Sequence, residues 1–213
     1  MYTGNEHLFI TSKDSKNALD YTLLNFWQWA YSNLLHNMHR GKFAEFIVKC
    51  ALEQGGVQTR KEVMTGLEPY DLEGPIIAST GLTSKLEIKS AAFVQSWDIK
   101  HPEKTSFSIA PAKTPDETGD YRDGSFKHRN NDIYIFAIYT ATSNEQDILN
   151  LSLWEFYILP TYKIENDDAL YKQKTISLKT VKQLCEPFKY ENLCCAIIDT
   201  CNRIPFDYCV HLF

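Results

Sequence analysis

The chain has 213 residues, 44% hydrophobic and 23% charged, with a formal net charge of −5 at pH 7. These are ordinary globular values for a chain long enough to bury a sizeable core, and no run approaches the ~20 apolar residues of a membrane span. The acidity excludes the whole-chain basic footprint usual in nucleic-acid binders but leaves open how charge is distributed.

Residues 1–16 are polar and read as a loosely held lead-in. They lack a basic region followed by an apolar one, so a soluble, cytoplasmic protein is expected. Lys16 to Met38 carries Leu19, Leu23, Phe26, Trp27, Ala30, Tyr31, Leu34 and Leu35 at a helical period, with Asp14 or Ser15 placed to cap it. Its aromatic stripe reads as core or dimer surface. Arg40-Gly41 reads as a break before a second helix, Lys42 to Gln54, with Phe43, Phe46, Ile47, Cys50 and Ala51 as its buried face and Glu45 at the edge. Gly55-Gly56 ends that helix, because glycine tolerates a left-handed C-terminal cap. Val57 to Val63 alternates and is expected to form a first strand, followed by a turn over Met64 to Pro69.

Next come Tyr70–Ile77 and Thr83–Ser90, which read as a hairpin. Strand side chains alternate, so Glu87 and Lys89 share a face while Ile88 points to the core. The hairpin brings Asp71 beside them. Two carboxylates and an amine at one place form a hard-cation site with a lysine next to the water that the metal activates. Glu73, on the same strand face as Asp71, is a reserve acidic ligand.

Downstream, Thr105–Ala110 alternates enough to be a strand, and Pro111 to Gly124 reads as a loop. Asp132 to Thr140 is the most strongly β-forming run, and Leu153 to Pro160 is another strand, stopped by its proline. Thr161 to Lys174 is polar, and Ser177 to Thr180 opens a short helix, Val181 to Cys185. This order predicts an α/β fold with a mixed sheet flanked by helices. It is read as a single domain with an N-terminal helical segment (1–38), a core (40–160) and a C-terminal extension (161–213). Five of the six cysteines lie from Cys185 onward without a Cys-x-x-Cys pair, which favours reduced, partly buried thiols over zinc or disulfides. Gly-rich phosphate loops, Gly-x-Ser-x-Gly elbows and His-Glu-x-x-His motifs are absent from the sequence.

Asp71 followed by Glu87-Ile88-Lys89, with Pro69 two residues before the Asp, resembles the PD-(D/E)XK nuclease superfamily, the restriction-endonuclease-like fold. Arg40 to Glu45 looks like the helix that carries the family's auxiliary Glu, and Gln95-Ser96-Trp97 looks like the glutamine that follows the Lys in subsets of it. The resemblance runs from about Arg40 to Pro160. It implies a restriction-endonuclease-like core and a Mg²⁺-dependent DNA endonuclease, with Mn²⁺ able to substitute. Asp71, Glu87 and the Ile88 carbonyl would hold the metal, Lys89 would act on the attacking water and the charge developing on phosphorus, and Glu45 would reach a water of the metal or a second ion. On such a nuclease Gln95, Arg122, Lys127 and Arg129 are the candidate DNA contacts. Double-stranded DNA is the expected partner, cut by a homodimer paired through Trp27, Trp29 and Tyr31. A restriction endonuclease is the first expectation, and a repair or recombination nuclease is the alternative that the sequence does not separate from it. The competing class is a non-catalytic nucleic-acid-binding protein that keeps the fold.

Overall fold

The computed structural model describes residues 2–9, 18–59, 69–94, 104–113, 127–143 and 145–209. At the N-terminal side, strand β1 (His7–Phe9) pairs antiparallel with strand β2 (Ala18–Thr22), and helix α1 (Leu23–Tyr31) follows at once. The helix expected from Lys16 to Met38 is therefore a strand and a shorter helix. Tyr21 and the β-branched Thr22 suit the strand. Thr22 then caps α1 in a reciprocal box with Asn25, each side chain accepting from the other's backbone N–H. The proposed caps Asp14 and Ser15 lie outside the described residues.

Helix α2 (Asn37–Gln54) runs straight through the break expected at Arg40-Gly41. A glycine inside a helix costs only about 1 kcal/mol relative to alanine. Burial of Arg40, Ala44, Ile47, Val48, Ala51 and Leu52 along one face outweighs that cost. Phe46, expected inside, is turned out to 56% exposure. The glycine stop holds, with Gly56 at φ +81 just past the cap. Val57 to Thr59 is irregular and 60–68 lies outside the described residues, so no strand is assigned there.

The central sheet has five strands in the order β3 (Leu72–Ile76), β4 (Thr83–Ala92), β6 (Ile133–Tyr139), β7 (Trp154–Pro160) and β9 (Pro187–Phe188). β4 and β6 are parallel and the other neighbours antiparallel, which makes the sheet mixed. Among the described residues β3 is an edge strand, which is where its Pro75 can sit without breaking a ladder. Gly74 lets β3 approach β4, since a Cβ there would stand 2.6 Å from Ser84 Oγ and 2.8 Å from Leu86 Cδ1. The hairpin, the long buried strand and the proline-stopped strand all form where the residue patterns place them.

β6 explains why its sequence is almost continuously apolar. Ile133, Ile135, Ala137 and Tyr139 enter one core, while Tyr134, Phe136 and Ile138 enter a second on the opposite face. Strands covered on both faces read this way. The first core is closed by α2 and by helix α5 (Tyr190–Cys201), whose Leu193, Ala196, Ile197 and Cys201 are buried. The segment expected as a C-terminal extension thus supplies a layer of the main core. The second core lies under a two-stranded ribbon, β5 (Ser106–Ser108) with β8 (Thr175–Ser177), and under helices α3 (Thr161–Glu165) and α4 (Leu178–Leu184). A short helix, α6 (Phe206–Cys209), follows α5. Among the described residues no helix is long and apolar enough to cross a membrane.

Candidate active site

β4 carries the centre of the site because its two faces enter different surroundings. Leu86 and Ile88 are buried in the first core. Glu87 and Lys89 lie opposite Tyr134 and Phe136 in the parallel register and therefore share the ribbon side of the sheet. There they are only part-buried, and Lys89 Nζ donates a hydrogen bond to the Glu87 carboxylate.

Asp71 reaches the pair from the start of β3. The hairpin register includes Leu72 opposite Leu86, and Asp71 N–H still donates to the Leu86 carbonyl at 2.9 Å. Two residues further along β4, Ile88 N–H donates to Asp71 Oδ2 at 2.7 Å. A β-strand residue projects its N–H and C=O to the same side, so the Ile88 carbonyl shares the Asp71 edge of β4. The Asp71 carboxylate thus stands at the end of the two-strand ladder, close enough for its charge to act on Glu87.

Helix α2 adds a third acid and a second lysine. Glu45 accepts from Lys42 Nζ at 2.8 Å, one helical turn away. Burial pushes the Glu45 carboxyl up, Lys42 opposes that, and Asp71 and Glu87 reinforce it. Burial likewise raises Glu87, with the Asp71 charge as the next cause. It raises Asp71 too, against the pull of the Ile88 N–H and of Lys89. Partial burial disfavours the Lys42 charge, yet Glu45, Asp71 and Glu87 together hold its ammonium above the ordinary value. Three part-buried carboxylates, with the Asp71 charge raising Glu87 and both of them raising Glu45, form an electrostatic demand for a cation.

The donor set fits a hard divalent ion. It is all oxygen, and Mg²⁺ is usually held by one or two carboxylates with water and substrate phosphate completing its shell. Among the described residues no three His, Cys, Asp or Glu side chains converge closely enough to hold a metal by themselves. The fit is therefore to Asp71, Glu87 and the Ile88 carbonyl, with Glu45 further out. Glu73, the reserve ligand, accepts from Tyr70 Oη at 3.1 Å and stands opposite Lys85 in the hairpin.

A pH dependence follows from these directions. Carboxyls whose folded pKa is raised favour the protonated folded protein, so this contribution to stability is fully present below the ordinary carboxylate range. It is lost as pH rises through the raised values of Asp71, Glu87 and Glu45. A bound cation would replace the proton in that role. Mn²⁺ should therefore raise Tm at neutral pH and do so less once the pH falls below that window, an outcome readable by thermal melts across pH with and without the ion.

The expected DNA-contacting residues divide. Gln95 and Arg122 lie outside the described residues. Lys127 is exposed, next to the Ala112–His128 bridge. Arg129, expected to face phosphates, does not. It is 2% exposed, and its Nε donates to the Ile109 carbonyl at 2.8 Å and its Nη1 to Glu165 at 2.6 Å. Nη2 donates to the Tyr171 and Gln173 carbonyls at 3.2 and 3.1 Å. With all three nitrogens committed inside the protein, Arg129 is a structural tie between the ribbon and α3. The run 161–174, which reads as polar, also carries Lys163, Lys172 and Lys174 with Tyr171, a basic-aromatic signal offset by Glu165, Asp167 and Asp168.

A small cleft of about 70 Å³ lies against Glu87, Lys89 and Tyr134. Its wall at Ala110, His128 and Arg129 is shared with a larger cleft of about 700 Å³ that continues toward Lys172 and Lys174.

No protein-family model matches the chain, and no curated protein matches it either. Among solved structures it is similar to a bacterial homing endonuclease, I-Ssp6803I, at a TM-score of 0.35 and 17% sequence identity, over 65% of this chain and 74% of that chain. A likeness this loose carries no argument about activity, and the functional reading rests on the side chains of the site.

Proposed function

We propose that this protein is a metal-dependent DNA endonuclease of the PD-(D/E)XK kind, using Mg²⁺ or Mn²⁺ to hydrolyse phosphodiester bonds. The observation that carries the reading is the bond from Ile88 N–H to Asp71, which holds this carboxylate against the stretch of β4 where Lys89 bonds Glu87. When bound, the divalent ion supplies Lewis acidity toward the phosphate and a water of lowered pKa. Asp71, Glu87 and the Ile88 carbonyl hold it. Lys89, on the same strand face as Glu87, directs its ammonium to the attacking water and to the negative charge that grows on the phosphoryl oxygens. Glu45 orients water at the outer edge of the site, and Lys42 keeps that carboxylate in place.

The test is incubation of the purified protein with varied plasmid and phage DNA in Mg²⁺, Mn²⁺ or EDTA. Discrete fragments would assign a restriction enzyme, and a smear or nicking a repair-type or less specific nuclease. Binding without cutting in either metal would reject the reading in favour of a non-catalytic DNA-binding protein.

We further propose that two copies act together, each cutting one strand, paired through α1. This helix buries none of its residues in the chain, and Trp29 and Tyr31 are 83% and 52% exposed. Sedimentation should show a dimer in the wild type and a monomer for Trp29→Glu. A wild type that is monomeric both free and on DNA would remove the dimer.

A further inference from the structure

The 700 Å³ cleft has a chemistry of its own. Lys127, Lys172 and Lys174 line it, and the one carboxylate among the described lining residues, Glu165, is already bound by Arg129. Among the described residues none of the three lysines is in an ion pair, so the cleft is a basic pocket on a chain whose net charge is −5. Beside the lysines stands Tyr171, 52% exposed.

Its position is built rather than incidental. The buried Arg129 guanidinium holds the backbone carbonyls of Tyr171 and Gln173, and the Lys174 carbonyl accepts from Ile109 N–H at 2.9 Å. The segment that presents Tyr171, Lys172 and Lys174 is thus tied at both ends to the interior. Across the shared wall lie Glu87 and Lys89.

Size decides among polyanions. A cleft of 700 Å³ falls in the roughly 300–1,000 Å³ range of pockets that enclose small ligands. It has room for a nucleotide or two and not for a duplex. An exposed aromatic ring among lysines is the combination that binds single strands, with the ring stacking a base and the ammonium groups following the phosphates.

We propose that this cleft binds a short single-stranded stretch of nucleic acid, with a base on Tyr171 and phosphates on Lys127, Lys172 and Lys174. Its placement next to the scissile phosphate rests on the nuclease reading above. A substrate would then be a duplex with a frayed, gapped or overhanging strand, and a fully paired blunt duplex would leave the cleft empty.

The experiment is fluorescence anisotropy without divalent cations, using a labelled oligothymidylate and a blunt hairpin duplex of equal phosphate number. Wild type, Tyr171→Ala, Tyr171→Phe and Lys172→Ala/Lys174→Ala are compared over a range of salt. These side chains are at the cleft surface and the ties to Arg129 are backbone carbonyls, so the variants should fold, which circular dichroism checks. Tyr171→Ala should weaken oligothymidylate binding by about ten-fold or more, as loss of one stacked base does, and leave the hairpin unchanged. Tyr171→Phe should bind like wild type. The double lysine variant should lower the salt slope for the single strand by about 1.4, or 0.7 for each lost phosphate contact. Single-strand affinity unaltered in Tyr171→Ala, or equal losses for strand and hairpin, would overturn the proposal. The two readings fail separately. A wild type that cuts DNA while all variants bind alike rejects the cleft and keeps the nuclease. A wild type that never cuts in Mg²⁺ or Mn²⁺, but whose variants lose the single strand as stated, keeps the cleft and rejects the nuclease.

Discussion

Lys89→Ala should cut DNA about 10²–10³ times more slowly than wild type, the usual loss when a donor aimed at transition-state charge is removed. The substitution should leave the fold intact, because Lys89 is part-buried at the cleft and its bond is to the neighbouring Glu87, not to the core. DNA affinity should change little, since one phosphate contact among several carries only a share of the electrostatic attraction. The rate and the dissociation constant, measured at one fixed salt concentration, separate these effects. If Lys89 were an ordinary strand lysine, rate and affinity would both match wild type.

Arg129→Met should destabilise the protein by roughly 3–5 kcal/mol, the range seen when one partner of a buried ion pair is deleted. The guanidinium donates to Glu165 and to the carbonyls of Ile109, Tyr171 and Gln173. Methionine fills much of the volume and supplies none of the donors, so several acceptors lose their partner in the interior at once. That is a large share of the about 5–15 kcal/mol that holds a typical domain together. Urea titration should show a lower midpoint at unchanged slope. A midpoint within experimental error of wild type would show that these bonds are replaced by water and that the tie is not structural.

The contrast between these two residues shows what the sequence could convey. The placement of Lys89 is legible because it depends on a neighbour two residues away and on one hairpin. Strand alternation places Glu87 and Lys89 together, and the turn brings Asp71. Arg129 was not legible, because the groups that bury it come from residues 109, 165, 171 and 173. No local pattern distinguishes an arginine that faces phosphate from one that collects distant carbonyls. Strands β6 and β7 were readable from their β-branched and aromatic runs. β5 forms inside the alternating run Thr105–Ala110, whereas the three residues of β8 are too few to show a period. The N-terminal error has a different cause. Leu19 to Leu35 happen to fall at helical spacing, yet α1 buries none of its residues, so no core selected that periodicity. In α2 the apolar face that follows Gly41 outweighs the cost of a glycine inside a helix.

On the proposed function, cutting depends on a cation held by Asp71 and Glu87. Asp71→Asn tests it most directly, because the amide oxygen can still accept the Ile88 N–H while the charge is gone. Plasmid cleavage is measured for wild type and Asp71→Asn over a range of Mg²⁺ and Mn²⁺ and in EDTA. Wild-type cutting should saturate with metal and vanish in EDTA, and Asp71→Asn should not cut at any metal concentration while still binding DNA. Cutting that persists in EDTA, or that is undiminished in Asp71→Asn, would contradict the account.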